Sequence, residues 1–144
     1  MPTRGDEPDV LVDTSVAVAL VVADHENHDV TVRAMGDRRL GLAGHAAFES
    51  FSVLSRLPPP ARRAPAVVAQ LLNANFPGSR YLSAASAQQL LGDLLPAGIA
   101  GGSVYDALVA AVAKEHRLVL ATRDRRALDT YRALNVRIEV VPDR

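Results

Sequence analysis

The sequence predicts an α/β fold with three layers, α/β/α, in which helices cover both faces of a central parallel sheet of about five strands. Three observations lead to this prediction. Short β-branched or aliphatic runs alternate along the chain with longer segments of helical character. The runs are apolar throughout, which is typical of strands buried on both faces. Regular alternation of strand and helix favours parallel strands joined by helical crossovers.

The expected elements follow one another along the whole chain. The strands are expected over residues 9–12, 40–43, 81–82, 118–121 and 137–141. The helices are expected over residues 15–22, 27–35, 45–57, 65–75, 84–95, 104–116 and 127–134. The third strand is the weakest of these predictions, because it consists of two residues only.

Several helix boundaries have clear local signals. Asp13, Thr14 and Ser15 all favour the N-cap position of the first helix. That helix is apolar on every side and is therefore expected to be fully buried. The prolines that begin at Pro58 end the third helix, because proline cannot continue the helical hydrogen bonds. Pro65 suits the first turn of the fourth helix.

The third helix carries Phe48, Phe51 and Leu54 on one side. We expect these side chains to belong to the core, as large apolar residues usually do. A contribution to a surface groove is the alternative. A glycine-rich loop over residues 96–102 leads into the sixth helix.

Composition narrows the class of protein. A chain of 144 residues, 49% of them hydrophobic, suits one domain over residues 1–144, with polar residues 1–8 as a flexible extension. The absence of cysteine excludes disulfides, thiolate zinc sites and a cysteine nucleophile, and it suits a cytoplasmic location. No apolar run is long enough to span a bilayer, so no membrane association is expected.

The formal net charge is zero, so no overall cationic field attracts nucleic acid. Lys114 is the sole lysine, and the arginine-rich remainder also suits a GC-rich genome. Arg123, Arg125 and Arg126 are clustered next to an acidic residue, Asp124. They are candidates for phosphate binding, and a solvated helix start explains them equally well.

Four acidic residues are the main functional candidates: Asp13, Glu49, Asp106 and Asp124. Ligands of open parallel sheets bind beyond the carboxyl ends of the strands. Asp13 follows the first strand and Asp124 closely follows the fourth, so both are expected at one edge of the sheet. The sequence leaves open whether the helices that carry Glu49 and Asp106 bring them to the same edge.

Each acid also has a simpler explanation. Asp13 and Asp124 suit helix N-caps, and Ser103 with Asp106 matches a capping box. Glu49 lies inside a helix, where its alternative is a side chain directed to solvent.

Taken together, the acids predict a metal site. Carboxylates held close together repel one another, and a divalent cation relieves that repulsion. Oxygen ligands without cysteine or a histidine pair suit Mg²⁺ or Mn²⁺ rather than zinc. His25 and His28 are one helical turn apart, but their polar surroundings favour a solvated helix start over a metal site. No serine-hydrolase elbow, Walker loop or dinucleotide fingerprint is present.

Several ordered segments resemble the PIN-domain ribonucleases and, more narrowly, the VapC toxins of bacterial toxin–antitoxin pairs. They are LVDTS at residues 11–15, the helical Glu49, YDALVAA at residues 105–111 and LATRD at residues 120–124. The resemblance covers nearly the whole chain. It implies a PIN-like sheet of five parallel strands and an endoribonuclease that depends on Mg²⁺ or Mn²⁺.

The resemblance also assigns roles to residues. Asp13, Glu49, Asp106 and Asp124 would form the catalytic and metal-binding quartet. The supporting hydroxyls, on the metal or the phosphate, would come from Thr14, Ser15 and Thr122. The products would carry a 5′-phosphate and a 3′-hydroxyl. Arg123, Arg125 and Arg126 would hold the RNA backbone.

Partners are likewise implied by the resemblance alone. The RNA substrate would be joined by a small cognate antitoxin that occupies a groove beside the site, covers it and inserts a basic residue among the acids. A homodimer is also expected.

Other classes fit less well. A phosphoacceptor signalling domain needs a lysine near its last strand, and Lys114 lies in a predicted helix. A phosphatase with an aspartate nucleophile needs a second aspartate two residues after Asp13, where Ser15 stands. A catalytically silent PIN-like binding module stays open, although four intact acids argue against it.

Overall fold

The computed structural model describes residues 9–144, so the extension expected over residues 1–8 lies outside the described part. Four strands are present there: β1 Val10–Val12, β2 Leu40–Leu42, β3 Leu120–Thr122 and β4 Ile138–Val140. The first four helices are α1 Thr14–Val21, α2 His28–Met35, α3 His45–Ser55 and α4 Pro65–Asn75. The others are α5 Ala84–Asp93, α6 Ser103–His116 and α7 Leu128–Ala133, with a 3₁₀ turn over Arg125–Ala127.

The strands form one parallel sheet in the order β2-β1-β3-β4. Leu11 of β1 is paired with Gly41 of β2 on one side and with Leu120 of β3 on the other. After β1 the chain continues to β2 on one side of β1, and it later returns to β3 on the opposite side of β1. Such a reversal opens a crevice beyond the carboxyl ends of the two central strands, here β1 and β3.

Two separate cores confirm the three-layer α/β/α fold. Leu11 and Leu120 point into a core with helices α6 and α7. Val12 and Ala121, the next residues in each strand, point to the opposite face and pack with Met35 of α2 and side chains of α4. Because neighbouring residues are buried on opposite faces, the strands are apolar without alternation.

Helix α1 is less buried than its sequence predicts. Val16, Ala17 and Ala19 are fully enclosed, but the remaining side chains of the helix are only partly covered. The helix packs against α2, α3 and β3. Its half-buried side borders the crevice at the end of β1.

The third of the five expected strands, at residues 81–82, is not formed. Residues 77–80 lie along the free edge of β2 instead, joined to it by isolated bridges at Gly41 and Ala43. Pro77 lacks an N–H group, which favours a bridge over a continuous strand at this edge. The sheet therefore has four strands rather than five.

Two aromatic residues of α3 are more exposed than expected. Phe48 and Phe51 are 68% and 37% exposed, whereas Leu54 is fully buried. Both phenylalanines line a groove of about 480 Å³ that also includes Phe76 and Tyr81. The groove alternative is therefore confirmed for Phe48 and Phe51, and the core prediction holds for Leu54.

Within the described range, none of the helices is both long and apolar enough to span a membrane.

The close approach of residues 77–80 to β2 makes a testable prediction at Gly41. A Cβ atom there would lie 2.1 Å from the Gly78 carbonyl oxygen. The Gly41→Ala variant is expected to lose about 1–3 kcal/mol of unfolding free energy, because the backbone must shift. Urea denaturation of the purified variant measures this loss.

Gly92 of α5 is the matched control, because a Cβ atom there meets nothing within 4 Å. The Gly92→Ala variant is expected to gain roughly 0.5–1 kcal/mol from helix propensity. Equal midpoints for Gly41→Ala and the unmodified protein would contradict the described packing.

Candidate metal centre

The carboxyl ends of β1 and β3 open into a cavity of about 320 Å³. Asp13 directly follows β1, and Asp124 comes two residues after the end of β3. Glu49 on α3 and Asp106 on α6 line the same cavity. The helices therefore bring Glu49 and Asp106 to the edge where the sheet places the other two acids, which the sequence had left open.

Asp13 is the most buried of the four acids, at 4% exposure. It caps α1 as predicted, since its Oδ1 accepts the Val16 N–H at 3.3 Å. The same oxygen accepts the Ser15 hydroxyl at 2.5 Å. Oδ2 accepts the Thr122 hydroxyl and, at 2.9 Å, the Tyr131 hydroxyl. These bonds use the full accepting capacity of an ionised carboxylate, which is about four.

Burial has the largest influence on the ionisation of Asp13. It raises the pKa of the carboxyl above its ordinary value, because the charged form loses hydration. The hydrogen bonds from the three hydroxyls and from Val16 act in the opposite direction. The net direction is upward, so a charge at this position is costly without further compensation.

Two of these hydroxyls also fix the loop after β3. Ser15 Oγ accepts the Arg123 N–H at 2.8 Å. Thr122 Oγ1 accepts the Asp124 N–H at 3.0 Å. Thr14 lines the cavity beside them. Ser15 and Thr122 therefore hold Asp13 and position Asp124.

Asp106 is half-buried in the first turn of α6, and the predicted capping box is wrong. Gly102 occupies the N-cap position and no side chain caps the helix. Ser103 Oγ donates instead to the Ala100 carbonyl at 2.7 Å. Asp106 is therefore not used as a cap, and it lines the cavity.

The pKa of Asp106 is raised above its ordinary value. Burial is the main cause, followed by the negative charges of Asp124, Asp13 and Glu49, while Arg126 acts weakly in the opposite direction. The four carboxylates are therefore close enough to repel one another.

Glu49 and Asp124 are more open to solvent. Glu49 is exposed, as its alternative explanation requires, yet it lines the cavity and acts on Asp106. Asp124 caps the 3₁₀ turn by accepting the Arg126 N–H at 3.0 Å, and it also lines the cavity. Asp124 therefore caps the turn as predicted and also lies in the cavity wall.

The three arginines do not act as one cluster. Arg123 lines the cavity with its side chain only 11% exposed, and it donates to Asp143 Oδ1 at 3.0 Å. Its buried Nε has no hydrogen-bond partner among residues 9–144. Arg125 and Arg126 lie on the surface, and the Arg126 side chain is 96% exposed.

Two further polar residues of the cavity wall, Tyr131 and His25, were not predicted to belong to the acidic site; His25 was considered only with His28, as a metal-binding pair. Tyr131 lies on α7, and burial followed by the Asp13 charge raises the pKa of its hydroxyl, which keeps the donor protonated. His25 and His28 are partly buried rather than solvated, and His28 Nδ1 contacts the Ala19 carbonyl at 2.8 Å. Neither a core tyrosine nor a loop histidine carries a local signal for such a role.

The donor set fits a divalent cation by its chemistry. All four acids offer oxygen ligands, and their mutual repulsion is the kind that Mg²⁺ or Mn²⁺ relieves. Among residues 9–144, however, no three Asp, Glu or His side chains converge closely enough to chelate an ion as they stand. Part of the reason lies at Asp13, whose oxygens accept hydrogen bonds from three hydroxyls. One of these hydroxyls must turn away before Asp13 can bind a metal ion.

The fold and the acidic cavity define a family. The PIN domain model matches residues 10–133, and the chain belongs to the PIN-domain family. Ribonuclease VapC27 of Mycobacterium tuberculosis (strain H37Rv) is 46% identical over 134 residues, which are 93% of this chain and 98% of that protein. Ribonuclease VapC40 of M. tuberculosis (strain CDC 1551) is 46% identical over 131 residues, 90% of this chain and 96% of that protein.

Solved structures show the same fold. VapBC2 from Rickettsia felis, bound to a promoter DNA fragment, has a TM-score of 0.67 at 14% identity and covers 94% of this chain and 100% of that one. VapC20 of M. tuberculosis, a sarcin–ricin loop cleaving toxin, has a TM-score of 0.65 at 21% identity. The match covers 84% of this chain and 94% of that one. These similarities confirm the predicted fold class.

Charge repulsion at Asp106 makes a prediction about stability. In the presence of EDTA at neutral pH, Asp106→Asn is expected to stabilise the protein by a few tenths of a kcal/mol for each like-charge contact removed. A raised carboxyl pKa means that ionisation destabilises the folded state above that pKa. The stability gained by Asp106→Asn is therefore expected to fade as the pH falls through the raised pKa of Asp106.

Urea midpoints across a pH series measure this effect. Asp93→Asn on α5 is the control, because Asp93 lies outside the cavity and accepts a hydrogen bond from Gln89. A stability gain at Asp93 equal to that at Asp106, or none at Asp106, would contradict the repulsion.

Proposed function

We propose that this chain is a divalent-metal-dependent endoribonuclease and the toxin of a type II toxin–antitoxin pair. One observation carries the proposal. Carboxylates from four separate segments line one cavity, in a chain 46% identical to a protein named ribonuclease VapC27. The phosphoacceptor alternative gains nothing, because Lys114 lies on α6 and does not line the cavity. A silent binding module has no need of four repelling acids.

Asp13, Asp106 and Asp124 are the proposed metal ligands, and Glu49 completes the site as a ligand or by orienting water. A bound Mg²⁺ or Mn²⁺ supplies two effects: it lowers the pKa of water and neutralises charge on the phosphate. In the site, the Asp13 carboxylate is held in position by hydrogen bonds from Ser15, Thr122 and Tyr131. Glu49 is the most solvent-accessible of the acids and is suited to take a proton from the attacking water.

The hydroxyl groups have related proposed roles. When Ser15 or Thr122 turns away from Asp13, the carboxylate gains a free lone pair and the hydroxyl becomes available to the metal shell or the phosphate. Thr14 is the third candidate, because it lines the cavity next to Asp13. The expected products carry a 5′-phosphate and a 3′-hydroxyl.

The three arginines have different proposed roles in RNA binding. Arg125 and Arg126 are exposed and suit contacts to the phosphate backbone outside the cavity. Arg123 is held against Ser15 and Asp143, so its proposed contribution is a positive cavity wall near the RNA.

The proposed protein partner is a small antitoxin. The surface proposed for it is the apolar groove lined by Phe48, Phe51 and Tyr81, in which Phe48 directly precedes Glu49 on α3. An antitoxin segment in this groove would cover the acids and place a basic residue among them. A homodimer remains part of the proposal.

The Glu49→Gln variant tests the nuclease proposal most cleanly. Glu49 is exposed, so its replacement is expected to leave the fold unchanged, whereas Asp13→Asn would disturb a buried hydrogen-bond centre. Cleavage of total RNA with Mg²⁺ or Mn²⁺ is expected to fall by about a hundredfold or more, as for other groups that stabilise developing charge. Adaptor ligation that requires a 5′-phosphate maps the cut ends.

Glu115→Gln on α6 is the matched control, because Glu115 contacts Ser83 and lies away from the acidic cavity. It is expected to cut RNA like the unmodified protein. Cutting by the unmodified protein that persists in EDTA, or full activity of Glu49→Gln, would contradict the proposed site.

A further inference from the structure

The loop between α1 and α2 contributes one imidazole, His25, to the acidic cavity. His25 is partly buried, and its backbone N–H donates to the Val22 carbonyl at 3.0 Å. It shares the cavity wall with Thr14 and Arg123. Among the described wall residues, His25 and Arg123 carry the side-chain nitrogen donors.

The tautomer of His25 is set by its neighbour. The Asn27 backbone N–H donates to His25 Nδ1 at 3.0 Å. A backbone N–H can only donate, so Nδ1 must be the accepting nitrogen and the proton of the neutral ring lies on Nε2. Within residues 9–144, Nε2 makes no hydrogen bond, which leaves it available to a ligand.

The loop that carries His25 is anchored at several points. Asn27 is 6% exposed, and its Oδ1 accepts the Arg144 N–H at 2.7 Å. Its carbonyl accepts the Thr31 hydroxyl at 2.6 Å. His28 is fixed to the Ala19 carbonyl on α1. The His25 ring is therefore attached to a supported segment, which reduces the entropy cost of using it to bind a ligand.

The charged groups around His25 favour the neutral ring. Burial lowers the pKa of its imidazole below the ordinary value, and the positive charge of Arg123 acts in the same direction. Glu26 opposes this, and His28 adds to it weakly. The neutral ring carries a single N–H donor, on Nε2, which a phosphate oxygen can accept.

We propose that His25 is a substrate-positioning residue whose Nε2–H donates a hydrogen bond to a phosphate oxygen of RNA in the acidic cavity. The proposal rests on the nuclease function proposed above. Four acids repel the RNA backbone, and the two terminal nitrogens of Arg123 are already held by the Ser15 carbonyl and Asp143. His25 adds a neutral hydrogen-bond donor to the positive wall that Arg123 forms on this side of the cavity.

Binding of a short fluorescein-labelled RNA that spans the mapped cut site tests the proposal. All variants carry Asp106→Asn to prevent cleavage, and fluorescence anisotropy gives the dissociation constant. His25→Leu is expected to weaken binding about threefold to tenfold, the size of one neutral hydrogen bond. His25→Gln, whose amide nitrogen can reach the position of Nε2, is expected to restore binding to near the parent value.

Two further readouts separate ligand binding from loop packing. His28→Leu, which removes the neighbouring contact to α1 but keeps the Nε2 donor of His25, is expected to weaken RNA binding less than His25→Leu does. The salt dependence of binding is expected to stay unchanged in His25→Leu, because a neutral donor releases no counterion, whereas loss of a cationic phosphate contact lowers the slope by about one.

The outcomes distinguish this inference from the proposed function. If the protein with Asp106 intact cuts RNA, but His25→Leu binds like the parent or His25→Gln fails to rescue it, the role of His25 is wrong and the nuclease stands. Equal losses in His25→Leu and His28→Leu would indicate loop packing and also overturn it. If the protein with Asp106 intact cuts no RNA, the proposed function fails first, and the His25 proposal fails with it.

Discussion

The carboxylate of Asp13 is the interaction on which the rest of the site depends. Its four hydrogen bonds come from Ser15 and Val16 on α1, Thr122 on β3 and Tyr131 on α7. The last two partners are more than a hundred residues away in sequence. One side chain therefore joins the first strand, its helix and the C-terminal part of the chain. A residue with this structural role is also the most buried candidate metal ligand.

This double role helps to explain why the acids of residues 9–144, as they stand, are not arranged to chelate a metal ion. Asp13 has donors on all its lone pairs, and Asp106 is repelled by the other acids. A cation would compensate the charge and compete with Ser15 or Thr122 for Asp13. Functional sites commonly hold unfavourable charge that a ligand relieves. The hydroxyls orient the Asp13 carboxylate and partly offset the cost of burying its charge.

Features that depend on local pattern and parallel topology were predictable from the sequence. The adjacency of Asp13 and Asp124 is one of them, because two parallel strands end at one edge of the sheet. The convergence of Glu49 and Asp106 depends on helix packing, which periodicity does not specify. The capping box at Ser103 matched in sequence but failed, because Gly102 is the N-cap. Tyr131 gave no signal, and His25 was considered only with His28, since contacts over such separations leave no mark on neighbouring residues.

The central claim is that the four carboxylates bind a divalent cation, and direct Mn²⁺ titration tests it without any RNA. Electron paramagnetic resonance follows free Mn²⁺ as purified protein is added. The account predicts saturable binding that weakens strongly in Glu49→Gln and Asp106→Asn, that Mg²⁺ competes for, and that Glu115→Gln leaves unchanged. Binding of equal strength in all four proteins, or none in the unmodified protein, would contradict it.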